Sequence, residues 1–341
     1  MRMLTGARRP RPAEPQPPPG PGTDPAACSA DPAADPADPG AATADRLAAA
    51  MVYGLTAEAV TWPKPGLVTA VSPGCHRDMD VYTLLRSSAT LQPHFRTAVV
   101  FGLRRGAAAP AARDFAELRD AGRRAEHSML TTTGGTNTHR GALFLGMLLC
   151  CAAGIEHAAG RPLEAEAVCR TAQEVGRDAL RADLAAAATG PSSVGLRAYA
   201  VHGLPGVRGE VLRGWPSLLG HGLPTLRTAL GAGRPLREAI ADTVLALMTV
   251  VEDTTVLNRG FALERLDTTR RQASAALAAG GTATRRGRRL VGRMARRLEQ
   301  RQISPGGSAD LAAMAVALHT WQTRPETPAP RKGDRRAPAP A

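Results

Sequence analysis

The sequence predicts an all-α chain, and three observations carry that prediction. Alanine, leucine and arginine dominate its middle, while β-branched residues are sparse and aromatics make up only 3%, so helix formers are abundant and strand formers scarce. No run alternates apolar and polar residues with the period of two that a half-buried strand shows. Short Gly-, Pro- and polar-rich joints divide the middle into helix-length segments, and no repeat period emerges that would suggest a solenoid.

Taken in order, the chain opens on a tail. Eleven of the 28 prolines precede residue 41 and five follow residue 323; both ends lack the large apolar side chains that would offset chain entropy, so 1–41 and 323–341 are expected to be disordered. The roughly 280 residues between them suffice for one buried core, which makes 42–322 a single compact multi-helix domain. Its first helix is predicted at 42–60 and ends at a joint, 63–80. Helices at 81–102 and 112–130 lead to a second joint, 131–141. Helices at 140–158 and 163–187 precede a third, 203–216. Helices at 215–230 and 236–257 run to a fourth, 252–260. Helices at 263–279 and 284–302 follow, then a fifth joint at 304–310 and a last helix at 308–322.

No segment carries the roughly 18 uninterrupted apolar residues of a membrane span, and no apolar stretch follows Arg8 and Arg9. Five cysteines, an odd number without C-x-x-C spacing, argue against a disulfide framework or a zinc site. A reduced cytoplasmic setting is expected. The formal charge of +13 suits polyanions, although an arginine run at 285–301 reads first as an exposed helix face rather than a nucleic-acid surface.

One bias is sharper. Of 43 basic residues, all but Lys64 and Lys332 are arginine, and Asn137 and Asn258 are the chain's asparagines. Lys64, Asn137 and Asn258 fall within joints, where Gly-rich backbone at helix N-termini offers N–H groups to phosphate.

The joints carry a resemblance. Pro63-Lys64-Pro65-Gly66-Leu67-Val68 is followed by Gly74-Cys75-His76-Arg77-Asp78-Met79, then by Thr133-Gly134-Gly135-Thr136-Asn137-Thr138-His139-Arg140-Gly141. Further on stand Gly206-Val207-Arg208-Gly209-Glu210 with Gly214-Trp215-Pro216, Asp253-Thr254-Thr255-Val256-Leu257-Asn258-Arg259-Gly260, and Ser304-Pro305-Gly306-Gly307-Ser308-Ala309-Asp310-Leu311. In this order and over about residues 50–322, they resemble the ATP:dephospho-CoA triphosphoribosyltransferases. The chain departs from that family's usual pattern at Thr69, Thr255 and Asn258, where Asp, Asn and His are the family's residues.

The resemblance implies that the ribose 2′-hydroxyl of 3′-dephospho-CoA attacks the anomeric carbon of ATP and that adenine leaves. The product would be the prosthetic-group precursor that a separate transferase attaches to the acyl carrier subunit of malonate decarboxylase or citrate lyase, the former being expected here. Such a displacement needs a base, help for the leaving purine and charge compensation. Glu210 is the favoured base among the joint carboxylates Glu210, Asp78, Asp253 and Asp310, with Asp310 read as a helix cap. His139 is expected to protonate the purine or orient a phosphate. Lys64, Asn137, Arg140, Arg208 and Arg259, with Gly134, Gly135, Ser304, Gly306 and Gly307, are expected to bind phosphates. Mg²⁺ is expected with the triphosphate, at Asp78 and Asp253. Trp62 and Trp215 are read as packing residues. Two other classes compete with this reading: an all-α Mg-dependent ADP-ribosyl-bond hydrolase, which would show tighter Asp clusters, and a basic nucleic-acid-binding protein, which leaves Lys64 and Asn137 unexplained.

Overall fold

The computed structural model describes residues 39–106, 112–187, 190, 194–256 and 263–323; most of the two predicted tails, and Asn258, Arg259 and Gly260 of the fourth joint, lie outside the described residues. Among those described there is no strand, and twelve α-helices follow one another: α1 Pro39–Val60, α2 Val81–Arg105, α3 Ala112–Thr132, α4 Arg140–Ala158, α5 Ala165–Ala186, α6 Val194–His202, α7 Gly206–Leu212, α8 Leu223–Gly231, α9 Leu236–Val250, α10 Leu263–Ala278, α11 Arg285–Gln300 and α12 Gly306–Thr323.

At the centre is α4, which packs against α1, α2, α3, α5 and α12. Among the described residues it alone is long and apolar enough to cross a membrane, and 78% of its apolar window is buried in the protein, so its composition answers to a core position. A second group, α8 to α11, gathers around α9, and α12 joins the groups by touching α1 and α4 on one side and α8 and α9 on the other. Its buried side is almost continuous from Leu311 to Leu318. α11 shows the opposite pattern: Val291, Met294 and Leu298 are buried while Arg285, Arg286, Arg289, Arg293, Arg296 and Arg297 face solvent, a one-sided surface helix.

Three expectations about elements need correction. The third joint is not a loop: Gly206–Leu212 is the helix α7, and Val194–His202 forms α6. Eight Gly or Pro residues from 190 to 214 hid them, because tertiary contact with α5 supplies stability that local propensity withholds. The helix predicted at 215–230 begins as a π-type turn, Leu218–Gly222, before α8; Pro224 lacks the N–H that a regular turn would use. The helix predicted to reach 257 stops at Val250, with Val251 extended, since Asp253 and Thr255 hydrogen-bond elsewhere. Trp215 is fully buried, whereas Trp62 is 47% exposed and does not pack as expected.

Candidate active site

A cleft of about 540 Å³ opens between α3, α4, α7, the 251–256 joint and the start of α12, within the size range of nucleotide-sized ligand sites. Its exposed lining is rich in arginine: Arg119, Arg123, Arg140, Arg208 and Arg213. Its inner lining is acidic, with Glu210, Asp253 and Asp310.

The arginines are held rather than loose. Both carboxylate oxygens of Asp183 in α5 accept from Arg119 Nη2, at 2.9 Å each, and Oδ2 also accepts from Arg208 Nε at 3.3 Å. Arg208 also stacks 5.7 Å above the Phe144 ring, a geometry available to a planar guanidinium. Arg140 pairs with Glu126 at 2.5 Å and Arg213 with Glu252 at 3.0 Å. Asn137, exposed on the lining, accepts from the Arg140 N–H at 3.2 Å and so closes the first turn of α4.

Glu210 sits in α7, buried, and its Oε1 accepts the Ser217 and Leu218 amides at 2.8 and 3.0 Å. The backbone there is strained: Trp215, a non-glycine residue at φ 61°, turns the chain so that both amides face the carboxylate. Burial pushes the Glu210 pKa up, and the two amides oppose that shift.

Asp253 is clamped. Its Oδ1 accepts from the Thr255 amide, the Thr255 hydroxyl and the Gly307 amide, and its Oδ2 from the amide and hydroxyl of Ser308. Thr255 Oγ1 takes the Gly306 amide at 2.8 Å, and its one proton is shared between Asp253 Oδ1 and the Ser304 carbonyl, 2.8 Å away. Thr255 and Asp253 therefore cap the first N–H groups of α12, those of Gly306, Gly307 and Ser308, with Asp253 as the negative charge at the helix's positive end. Ser304 contacts His76 Nε2 at 3.0 Å.

The remaining sequence-predicted residues lie off the cleft lining. Lys64 is 3% exposed and donates to both the Glu58 carbonyl and Oε1 at 2.5 Å; burial pushes its pKa down while Glu58 counters. His139 is also buried, its Nδ1 2.9 Å from the Ser87 hydroxyl. Burial and then the Lys64 charge push it down to about 4, so the ring is neutral at pH 7. Asp78 is exposed, 3.8 Å from His76. Gly134 and Gly135 form a Schellman cap on α3: the Gly135 amide donates to Leu130 O at 2.7 Å and the Gly134 amide to Thr131 O, with Gly134 at φ 63°. Arg259 lies outside the described residues.

The structure thus brings together Asn137, Arg140, Arg208, Glu210, Asp253 and Gly307, and sets Lys64, Asp78, Gly134, Gly135, His139, Ser304 and Gly306 apart from the cleft wall. Sequence reading missed Arg119, Phe144 and Asp183, which sit in ordinary helical segments without any motif, and Arg213, which falls between the strings ending at Glu210 and beginning at Gly214. It also assigned Asp310 to capping.

The profile of the ATP:dephospho-CoA triphosphoribosyl transferase family matches residues 44–327. The 2-(5''-triphosphoribosyl)-3'-dephosphocoenzyme-A synthase of Pectobacterium atrosepticum is 35% identical over 273 residues, covering 80% of this chain and 88% of that relative. The probable synthases of Salmonella gallinarum and Vibrio cholerae are 34% and 33% identical, each covering at least 80% of this chain and 88% of its relative. No solved structure matches the chain. With the match running through every element that lines the cleft, the chain belongs to the ATP:dephospho-CoA triphosphoribosyl transferase family.

Proposed function

We propose that this chain transfers the 5-triphosphoribosyl group of ATP to the ribose 2′-hydroxyl of 3′-dephospho-CoA and releases adenine, forming 2′-(5″-triphosphoribosyl)-3′-dephospho-CoA. The observation that carries this reading is the division of a single cleft into an arginine-rich mouth and a buried carboxyl floor. Triphosphate oxygens suit the guanidinium forks of Arg119, Arg140 and Arg208, while the reacting ribose carbon suits the floor. Glu210 is the base: its clamped Oε1 fixes the carboxyl, and burial raises its affinity for the hydroxyl proton.

The residues expected to hold Mg²⁺ do not fit it. Asp78 is 62% exposed on its side chain and lies off the cleft, and the lone pairs of Asp253 are committed to five donors. No group of three His, Cys, Asp or Glu that could hold a metal occurs among the described residues. The lining's five arginines face six carboxyls, so protein charge alone does not neutralise a triphosphate. Mg²⁺ is therefore proposed to arrive on the triphosphate oxygens, with water completing its shell.

Cys75, Cys150, Cys151 and Cys169 are buried and form no disulfide. Burial raises Cys150, Cys151 and Cys169, Cys151 to about 12, which keeps them unreactive and suits a cytoplasmic enzyme. The carrier expected to receive the product, through a separate transferase, is that of malonate decarboxylase; loading it and the citrate lyase carrier side by side tests this.

Incubation with ATP and 3′-dephospho-CoA should release adenine only when the acceptor is present. Adenosine-containing products would indicate bond hydrolysis instead, and salt-sensitive DNA binding without turnover would indicate a nucleic-acid protein.

A further inference from the structure

Asp310 stands at the fifth residue of α12, past the positions from which a side chain caps a helix. Capping is done across the joint by Asp253 and Thr255. The Asp310 carboxyl instead reaches the cleft wall, half-buried. It lies beneath Gly141 in the first turn of α4, where an added Cβ would collide with Asp310 Oδ2, and it accepts the Ala142 amide. Only glycine at 141 leaves room for that approach.

The charges of two other carboxylates, Asp253 and Glu58, bear on Asp310. Asp253 is satisfied by its five donors, and Glu58 is balanced by Lys64. Asp310 has one amide and, among the described residues, no cation. Burial first, then Asp253, then Glu58 push its pKa well above the usual carboxylate range.

We propose that Asp310 is the acid that protonates the departing adenine. This rests on the transfer reaction proposed above. As the acceptor 2′-oxygen bonds to C1′, the C1′–N9 bond breaks and its electron pair goes to the purine. The Asp310 proton passes to the purine ring, adenine leaves neutral, and the hydroxyl proton goes to Glu210. Exchange through solvent returns that proton to Asp310. Burial raises both carboxyls, but their surroundings differ: two amides oppose the rise at Glu210, whereas two neighbouring carboxylates add to it at Asp310. His139 does not fill this place, being neutral, bonded to Ser87 and away from the cleft wall.

The test compares ATP with its 8-aza analogue, whose base leaves more readily as an anion because its ring N–H is more acidic. Asp310→Asn should lose roughly 100-fold in kcat on ATP but under about tenfold on the analogue, since general-acid help is worth about 10²–10⁴. Glu210→Gln should lose equally on both donors. Thermal stability of Asp310→Asn should change little, because a neutral carboxyl is replaced by a neutral amide of the same shape whose oxygen can still accept the Ala142 amide; if that variant fails to fold, Asp310→Ser carries the same donor comparison. Equal losses on both donors, or full activity on ATP, overturn the assignment of Asp310 while leaving the transfer reaction standing. Wild-type protein that releases no adenine in the presence of dephospho-CoA overturns both.

Discussion

The joint at 61–80 and the joint at 251–256, with the start of α12, both carry motif residues, yet they are built in opposite senses. In the second, Asp253, Thr255, Gly307 and Asp310 form cleft wall. In the first, Lys64 is turned inward onto the end of α1, His76 leans on Ser304, and Asp78 points to solvent; none reaches the cleft. The two are nevertheless linked. His76 touches the segment leading into α12, the Lys64 charge bears on His139, and Glu58 bears on Asp310. The difference teaches that a motif lysine can stand behind a cleft, balancing a buried carboxylate, instead of on its wall.

The largest expected effect tests that directly. Lys64→Met leaves Glu58 buried without its cation and should cost about 3–5 kcal/mol in stability by denaturant titration. Adding Glu58→Leu removes the orphaned charge and should recover most of that loss. If Lys64 worked instead as a phosphate ligand, the double variant would stay stable but show a steeply raised KM for ATP; an unchanged KM keeps the lysine behind the cleft.

A second effect of similar origin appears on acidification. Folding depresses the pKa of His139 to about 4 from its usual 6.5. A depressed histidine contributes stability that is present above pH 6.5 and lost as pH falls towards 4, because the unfolded chain takes up a proton that the folded chain refuses. The wild type should lose about 3 kcal/mol across that window from this group, and His139→Gln should flatten the slope there. An unaltered slope would place the histidine in contact with water and reopen it as a cleft residue.

How much of this was legible in the sequence follows from where each signal lies. Helix-rich composition disclosed the all-α class, and the joints at 131–141 and 304–310 marked real helix ends. Rarity drew attention to Lys64, but rarity does not say which way a side chain points, and its partner Glu58 lies in the ordinary helix α1. Gly134-Gly135 and Gly306-Gly307 look alike as strings. One pair ends α3 and the other gives its amides to the side chains of Asp253 and Thr255, a distinction fixed by residues 51 to 54 positions away. Arg119 and Asp183 were invisible for the same reason: their meaning comes from α3 and α5 meeting at the cleft. Asp310 was read by its proximity to a helix start, whereas its setting is decided by Gly141 on another helix.

The smallest effect sharpens the comparison from the cleft side. Arg208 shares Asp183 with Arg119, which already holds both of its oxygens. Arg208→Ala therefore orphans no buried charge, and stability should change by less than about 1 kcal/mol, as for other partly exposed pairs. Its fork and its stacking on Phe144 are, by contrast, what a phosphate would use. The KM for ATP should rise about tenfold, or ~1.4 kcal/mol, with kcat little changed, the signature of lost ground-state binding. Arg208→Lys should not restore it, since an ammonium neither forks nor stacks as a guanidinium does. A lysine variant with normal KM would reduce the cleft mouth to a point charge and remove the contrast with Lys64, because either joint could then supply the cation.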